Sequence, residues 1–159
     1  MKLRSLLSFV VLVTLVCVAS ASQPSIIPTP QKYIAQEGSF ELNARSSISV
    51  SSKELHPAAE YLASHLGTEV VGLGGAICLE LDNSLSGEAY RLDVLNDRVI
   101  IRGGTYAGVF SGITTFMQLL PATVYGKLEL PAKVACCTIE DAPRFEYRGF
   151  MLDVCRTWM

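Results

Sequence analysis

The chain has 159 residues, room for one ordinary domain with extras, and half of it is apolar, which excludes wholesale disorder. The formal charge is only −2 and no block of like charges occurs, so nucleic acid is excluded as a partner. At the front, Lys2 and Arg4 precede the apolar run Leu6 to Val18, and Ala19-Ser20-Ala21 is a small-x-small cleavage site. That order predicts a secretory signal peptide over residues 1–21. The apolar run is too short for a stable membrane span. Cys17 raises the question of a lipid anchor, but Val16 stands where such sites want Gly or Ala, so the chain is expected to be exported without one: secreted, periplasmic or lysosomal. Loss of Lys2 and Arg4 takes the charge from −2 to −4, which suits a neutral or small partner.

Residues 22–38 hold Pro24, Pro28 and Pro30, which bar a helix and favour an extended path. A short strand is predicted at Ser39 to Leu42. The alternation Ser47-Ile48-Ser49-Val50-Ser51 predicts a half-buried strand. Ser52 can cap a helix whose Leu55, Ala58, Ala59, Leu62, Ala63 and Leu66 share one face, with Pro57 in its first turn and Gly67 at its end. Gly72-Leu73-Gly74-Gly75 is a joint. It lacks the Gly-Lys-Ser/Thr of a phosphate loop. Strands follow at Ile77 to Leu81, Ala89 to Leu95 and Arg98 to Arg102, the last two joined as a hairpin by Asn96-Asp97. Tyr106 to Leu120 repeats Val109, Phe110, Ile113, Phe116, Met117 and Leu120 at helical spacing, and Pro121 stops it. Short β runs are expected at Leu128 to Leu130 and Val134 to Ile139, then a turn at Asp141-Ala142-Pro143 and a last strand-like run, Phe145 to Val154.

Strands in front of and behind two helices predict an α+β fold, an antiparallel or mixed sheet with both helices on one face. The domain is expected over residues 22–140. Residues 141–159 do not belong to that layer, and the abrupt stop at Met159 suggests a longer protein. Cys78, Cys136, Cys137 and Cys155 are too few for a disulfide framework and are expected as free thiols. Cys136 and Cys137, neighbours on a strand, point to opposite faces. His56 and His65 do not share a helix face, so no metal site and no cofactor are expected.

Three stretches carry a resemblance: Ile26-Ile27-Pro28-Thr29-Pro30-Gln31, the helix motif from Gly104 to Pro121, and the run from Asp141 to Arg156 that contains Arg148-Gly149-Phe150-Met151-Leu152-Asp153. Together they resemble the non-catalytic N-terminal domain of family 20 glycoside hydrolases, followed by the first strand of their (β/α)8 catalytic barrel. The resemblance implies an exported β-N-acetylhexosaminidase that removes terminal β-linked N-acetylglucosamine or N-acetylgalactosamine from oligosaccharides or glycoconjugates. Its implied mechanism is retaining and substrate-assisted: the sugar's own 2-acetamido oxygen is the nucleophile, an exception to the two-carboxylate scheme. An Asp-Glu pair on a later strand supplies the orienting carboxylate and the general acid. Arg148 matches the family arginine that binds hydroxyls of the terminal sugar, a role that suits a guanidinium with five fixed donors. Asp153 and Arg156 match structural residues of the same strand. The chain departs from the family directly after, with Thr157 where a histidine is usual.

No Asp-Glu dipeptide occurs in the 159 residues; Glu140-Asp141 is the reverse order and is expected to be a solvated turn. The catalytic pair is therefore expected beyond Met159, and this chain alone is expected to hydrolyse nothing. Two rival readings stay open: a stand-alone glycan- or partner-binding module, and the N-terminal domain of another exported glycosidase such as an α-glucuronidase. A downstream His-x-Gly-Gly-Asp-Glu motif would separate them.

Overall fold

The computed structural model describes residues 24–121, 129–145 and 147–151. The signal-peptide stretch 1–21 with Cys17, and Asp153, Cys155, Arg156 and Thr157, lie outside the described residues.

The chain builds β1 (Lys32–Leu42), β2 (Ser47–Val50), a short 3₁₀ turn (Lys53–Leu55) that runs into α1 (His56–Leu66), β3 (Glu69–Val71), β4 (Ile77–Leu81), β5 (Tyr90–Val94), β6 (Val99–Gly103), α2 (Tyr106–Leu119) and β7 (Ala132–Asp141). The described strands form one mixed sheet in the order β1-β7-β5-β6-β4-β2-β3. The β2, β3, β4 and β6 pairings are parallel. The β5–β6 hairpin and the β7 pairings with β1 and β5 are antiparallel. Both helices pack on the sheet and on each other, so they share one face, as the α+β reading expects.

Local chemistry accounts for the helices. The Ser52 hydroxyl accepts from Glu54 N at 3.3 Å, and the chain leaves α1 through Gly67 at φ +65°, a left-handed conformation that costs glycine little. Leu55, Ala58, Leu62 and Leu66 fill the underside of this segment. Thr105 Oγ1 accepts from Gly108 N at 3.3 Å and caps α2. This helix lies unusually close to the sheet. A Cβ on Gly108 would sit 2.6 Å from Ala89 O, and one on Gly112 would sit 2.5 Å from Ile101 Cγ2. Only glycine permits that approach. Val109, Ile113 and Phe116 then reach Leu92, Ile101 and Ile139 in a core with no solvent exposure.

Several expectations need correction. β1 starts at Lys32, not Ser39, because residues 32–35 pair with β7. A register shift between Ala35 and Ser39 lets the strand continue. β3 was not foreseen: its three residues are too short to show an alternation, and only the parallel pairing with β2 defines it. Glu129 and Leu130 form no strand, and Leu128 lies outside the described residues. β7 is longer than its apolar centre. Glu140 and Asp141, expected as a solvated turn, are its last two residues. The run from Phe145 onward was expected as a strand; residues 145 and 147–151 form none and are exposed.

The face of the sheet away from the helices is ionic. Asp93, only 7% exposed, accepts from Arg91 Nε at 2.9 Å, Arg102 Nη1 at 3.0 Å and Thr138 Oγ1 at 2.8 Å. Arg102 also holds Glu80 at 2.9 Å, and Glu140 joins Arg91 at 3.0 Å and Lys32 at 2.8 Å. The chain of charges crosses five strands. Burial alone would raise the Asp93 carboxyl, but the bonds from Arg91 and Thr138 and the charges of Arg91 and Arg102 outweigh it and hold it below the usual carboxylate range.

Candidate functional site

Arg148 stands at a cleft of about 660 Å³ built from three parts of the chain. One wall is a strap, Ile27 to Gln31. The floor is the second half of α2, through Ser111, Thr114, Thr115 and Gln118. The other wall is the exit from β7, Asp141 to Phe145. Each part is where it is for a local reason. The prolines at 28 and 30 keep the strap out of a helix, and the expected extended path is broken by a bend at Ile27 and Pro28, whose peptide bond is cis. α2 ends at Leu119, ahead of Pro121, which leaves Gln118 on its last exposed turn. β7 stops ahead of Pro143, which has no N–H to continue the ladder.

Polar bonds hold the strap, which follows directly on Ile26, buried in the core. The Gln118 side-chain amide takes both backbone groups of Ile27: its Oε1 accepts from Ile27 N at 2.8 Å and its Nε2 donates to Ile27 O at 3.1 Å. Gln31 does the same for the exit. Its N donates to Asp141 Oδ1 at 3.2 Å and its Nε2 donates to Ala142 O at 2.9 Å. Ile27 itself is 76% exposed, so the strap gains little from apolar contact there. Beneath, the Tyr90 hydroxyl is 2.6 Å from Thr115 Oγ1 and 3.5 Å from Asp141 Oδ2. Burial raises the Tyr90 phenol above its ordinary value, the bond with Thr115 pulls it down, and the Asp141 charge adds to the rise.

The guanidinium of Arg148 is half exposed. Its Nη2 pairs with Glu88 Oε2, and its Nη1 donates to Phe145 O at 3.4 Å. Glu88 comes from the loop before β5. The arginine singled out by sequence therefore meets a carboxylate and a hydroxyl-lined wall, a set able to bind a polar, polyhydroxylated group. Gln31 ends the proline motif and Gln118 lies in the helix motif, though neither was singled out there, and Glu88 lies in no motif. The proline motif and the Asp141 turn were the only hints to this corner.

The other singled-out residues stay apart from the cleft. His56 pairs with Glu60 at 3.4 Å on the outer side of α1, and His65 Nδ1 lies 2.8 Å from Tyr61 O. Cys78, Cys136 and Cys137 are free, the last two buried. Cys136 Sγ donates to Asn96 Oδ1 at 3.3 Å, while burial, with the neighbouring Cys136 and Asp93, pushes the Cys137 thiol up to about 11. A second, shallower hollow of about 570 Å³ lies over β2 and β4, between Arg45, Arg98 and the serines 47, 49 and 51. It contains none of the predicted site residues.

Comparison with known proteins gives a consistent picture. The family model described as "Glycosyl hydrolase family 20, domain 2" matches residues 23–142. A β-hexosaminidase of Porphyromonas gingivalis is 38% identical over 149 residues, which cover 85% of this chain and 19% of the relative. A β-hexosaminidase of Vibrio furnissii is 31% identical over 86% of this chain and 22% of its own length. Among solved structures, a family 20 β-N-acetylhexosaminidase from Streptomyces coelicolor superposes with a TM-score of 0.71 at 34% identity, over 77% of this chain and 27% of that one. The chain thus spans about a fifth of the length of these curated relatives.

Proposed function

Because the chain belongs to glycosyl hydrolase family 20, we propose that it is the front part of an exported β-N-acetylhexosaminidase. In this reading residues 22–140 are its non-catalytic α+β domain, and residues 141–159 begin the catalytic barrel. The whole enzyme removes terminal β-linked N-acetylglucosamine or N-acetylgalactosamine from an oligosaccharide or glycoconjugate. The 2-acetamido oxygen of the substrate attacks the anomeric carbon, and an Asp-Glu pair further along the polypeptide orients that group and passes the proton. Arg148 binds hydroxyls of the terminal sugar.

The observation that carries the reading is the 38% identity to a β-hexosaminidase over 149 residues and 85% of this chain. Arg148 suits its part because a guanidinium offers donors in a fixed fork. Its half exposure beside Glu88 supports that part.

The test is hydrolysis of 4-nitrophenyl N-acetyl-β-glucosaminide. The polypeptide carrying its downstream region turns it over, and residues 22–159 alone do not. Turnover by the short chain at a comparable rate would end the claim that its chemistry lies elsewhere. In the long form Arg148→Lys raises KM about tenfold, as expected for a lost fork of hydrogen bonds to a substrate hydroxyl.

A further inference from the structure

The Arg148 corner is held by contacts between residues of three separate sequence motifs, and they converge on two side chains. Gln118 binds both backbone groups of Ile27, much as a neighbouring strand would. Asp141 receives Gln31 N at 3.2 Å and lies 3.5 Å from the Tyr90 hydroxyl, which ties the exit to both the strap and β5. Gln31 closes the loop onto Ala142 O at 2.9 Å. These bonds bridge 91, 110 and 111 residues of sequence on an exposed surface. Bonds of this kind each add little to stability, because water competes for the same groups. They are directional, however, and they fix where the chain leaves the sheet.

We propose that Gln118 and Asp141 are positioning residues: Gln118 locks the strap to α2, Asp141 locks the exit to the strap, and together they set the course of the chain from Ala142 to Phe145 and so fix where Arg148 is presented. This rests on the hexosaminidase reading of Arg148. Neither residue touches the sugar; both act through the arginine that does. Loss of the lock leaves the chemistry intact and loosens the grip on the ground-state substrate.

The experiment uses the full-length enzyme and 4-nitrophenyl N-acetyl-β-glucosaminide. In the double variant Gln118→Ala/Asp141→Ala, KM rises about fivefold to tenfold while kcat stays within about twofold. Asp141→Asn on an otherwise native enzyme keeps an acceptor for Gln31 N and holds KM within about twofold of native, whereas Asp141→Ala does not. Leu62→Ala, in the core under α1, lowers the melting temperature and leaves KM unchanged. Amide hydrogen exchange at Ile27 and Gln31 quickens in the double variant. A KM within twofold of native in the double variant, or an equal rise in Leu62→Ala, overturns the positioning role while the hexosaminidase reading stands. A native enzyme that fails to hydrolyse the glucosaminide overturns both.

Discussion

β7 and the run that starts at Phe145 read alike in the sequence, both rich in apolar and β-favouring residues. In the molecule they part company. β7 has β1 on one side and β5 on the other, and Ile139 is fully buried. The later run has no strand neighbour among the described residues; Tyr147, Phe150 and Met151 are 89%, 88% and 93% exposed. Pattern alone does not make a strand. A strand needs partners for its backbone groups and a surface to cover, and the later run has neither among the described residues. The first described side chain to tie it back is Arg148, through Glu88.

Substitutions sharpen that contrast. The largest gap is expected between Ile139→Ala and Phe150→Ala. The first opens a cavity under α2 and lowers unfolding free energy by about 3–4 kcal/mol. The second removes an exposed ring and changes it by less than about 0.5 kcal/mol. Urea titration of the chain measures both, and equal losses would mean that the later run is packed after all.

Next in size is Asp93→Ala, which leaves Arg91, Arg102 and Thr138 facing each other without their shared acceptor. A loss of about 2 kcal/mol is expected, tempered by the partial exposure of both arginines. The same carboxyl gives a sign to the acid limb. Its folded value lies below the ordinary range, so its contribution is complete above about pH 4 and is lost as pH falls through the folded value. Asp93→Asn flattens that limb in a series of acid melts.

The alkaline side belongs to Cys137, whose thiol is raised from 9.0 to about 11 by burial, then by Cys136 and Asp93. A raised value means the folded chain keeps a proton that the unfolded chain gives up. Stability is therefore full below about pH 9 and declines by about 1–2 kcal/mol as pH approaches 11. Cys137→Ala removes that decline, which thermal melts across the interval will read. The smallest effect is Glu88→Gln, expected to shift stability by no more than about 0.5 kcal/mol, because the pair with Arg148 is half exposed.

What the sequence disclosed follows the same division. β4 was legible at both ends, since its alternation sits between Gly75 and the polar Asp82. α2 was legible from its apolar spacing and Pro121. Residues 32–38 were not, because an exposed edge strand shows no buried face to read; its place is set by β7, a hundred residues away. Arg148 was visible only through resemblance to a family. Gln31 and Gln118 lay within motifs, but their roles, like that of Glu88, were not legible, since each acquires its role from a backbone or side-chain group remote in the chain.

The pairing of β1 with β7 also has a consequence for biosynthesis. Lys32 meets Glu140 and Leu42 meets Ala132, so the longest strand stays half-built until nearly the whole domain has left the ribosome. At a translation speed of about 5–20 residues per second, that delay is on the order of 5–20 seconds. During it the β2–β6 portion can condense around its helices, whereas the β1 edge stands open to chaperones or to a neighbouring nascent chain.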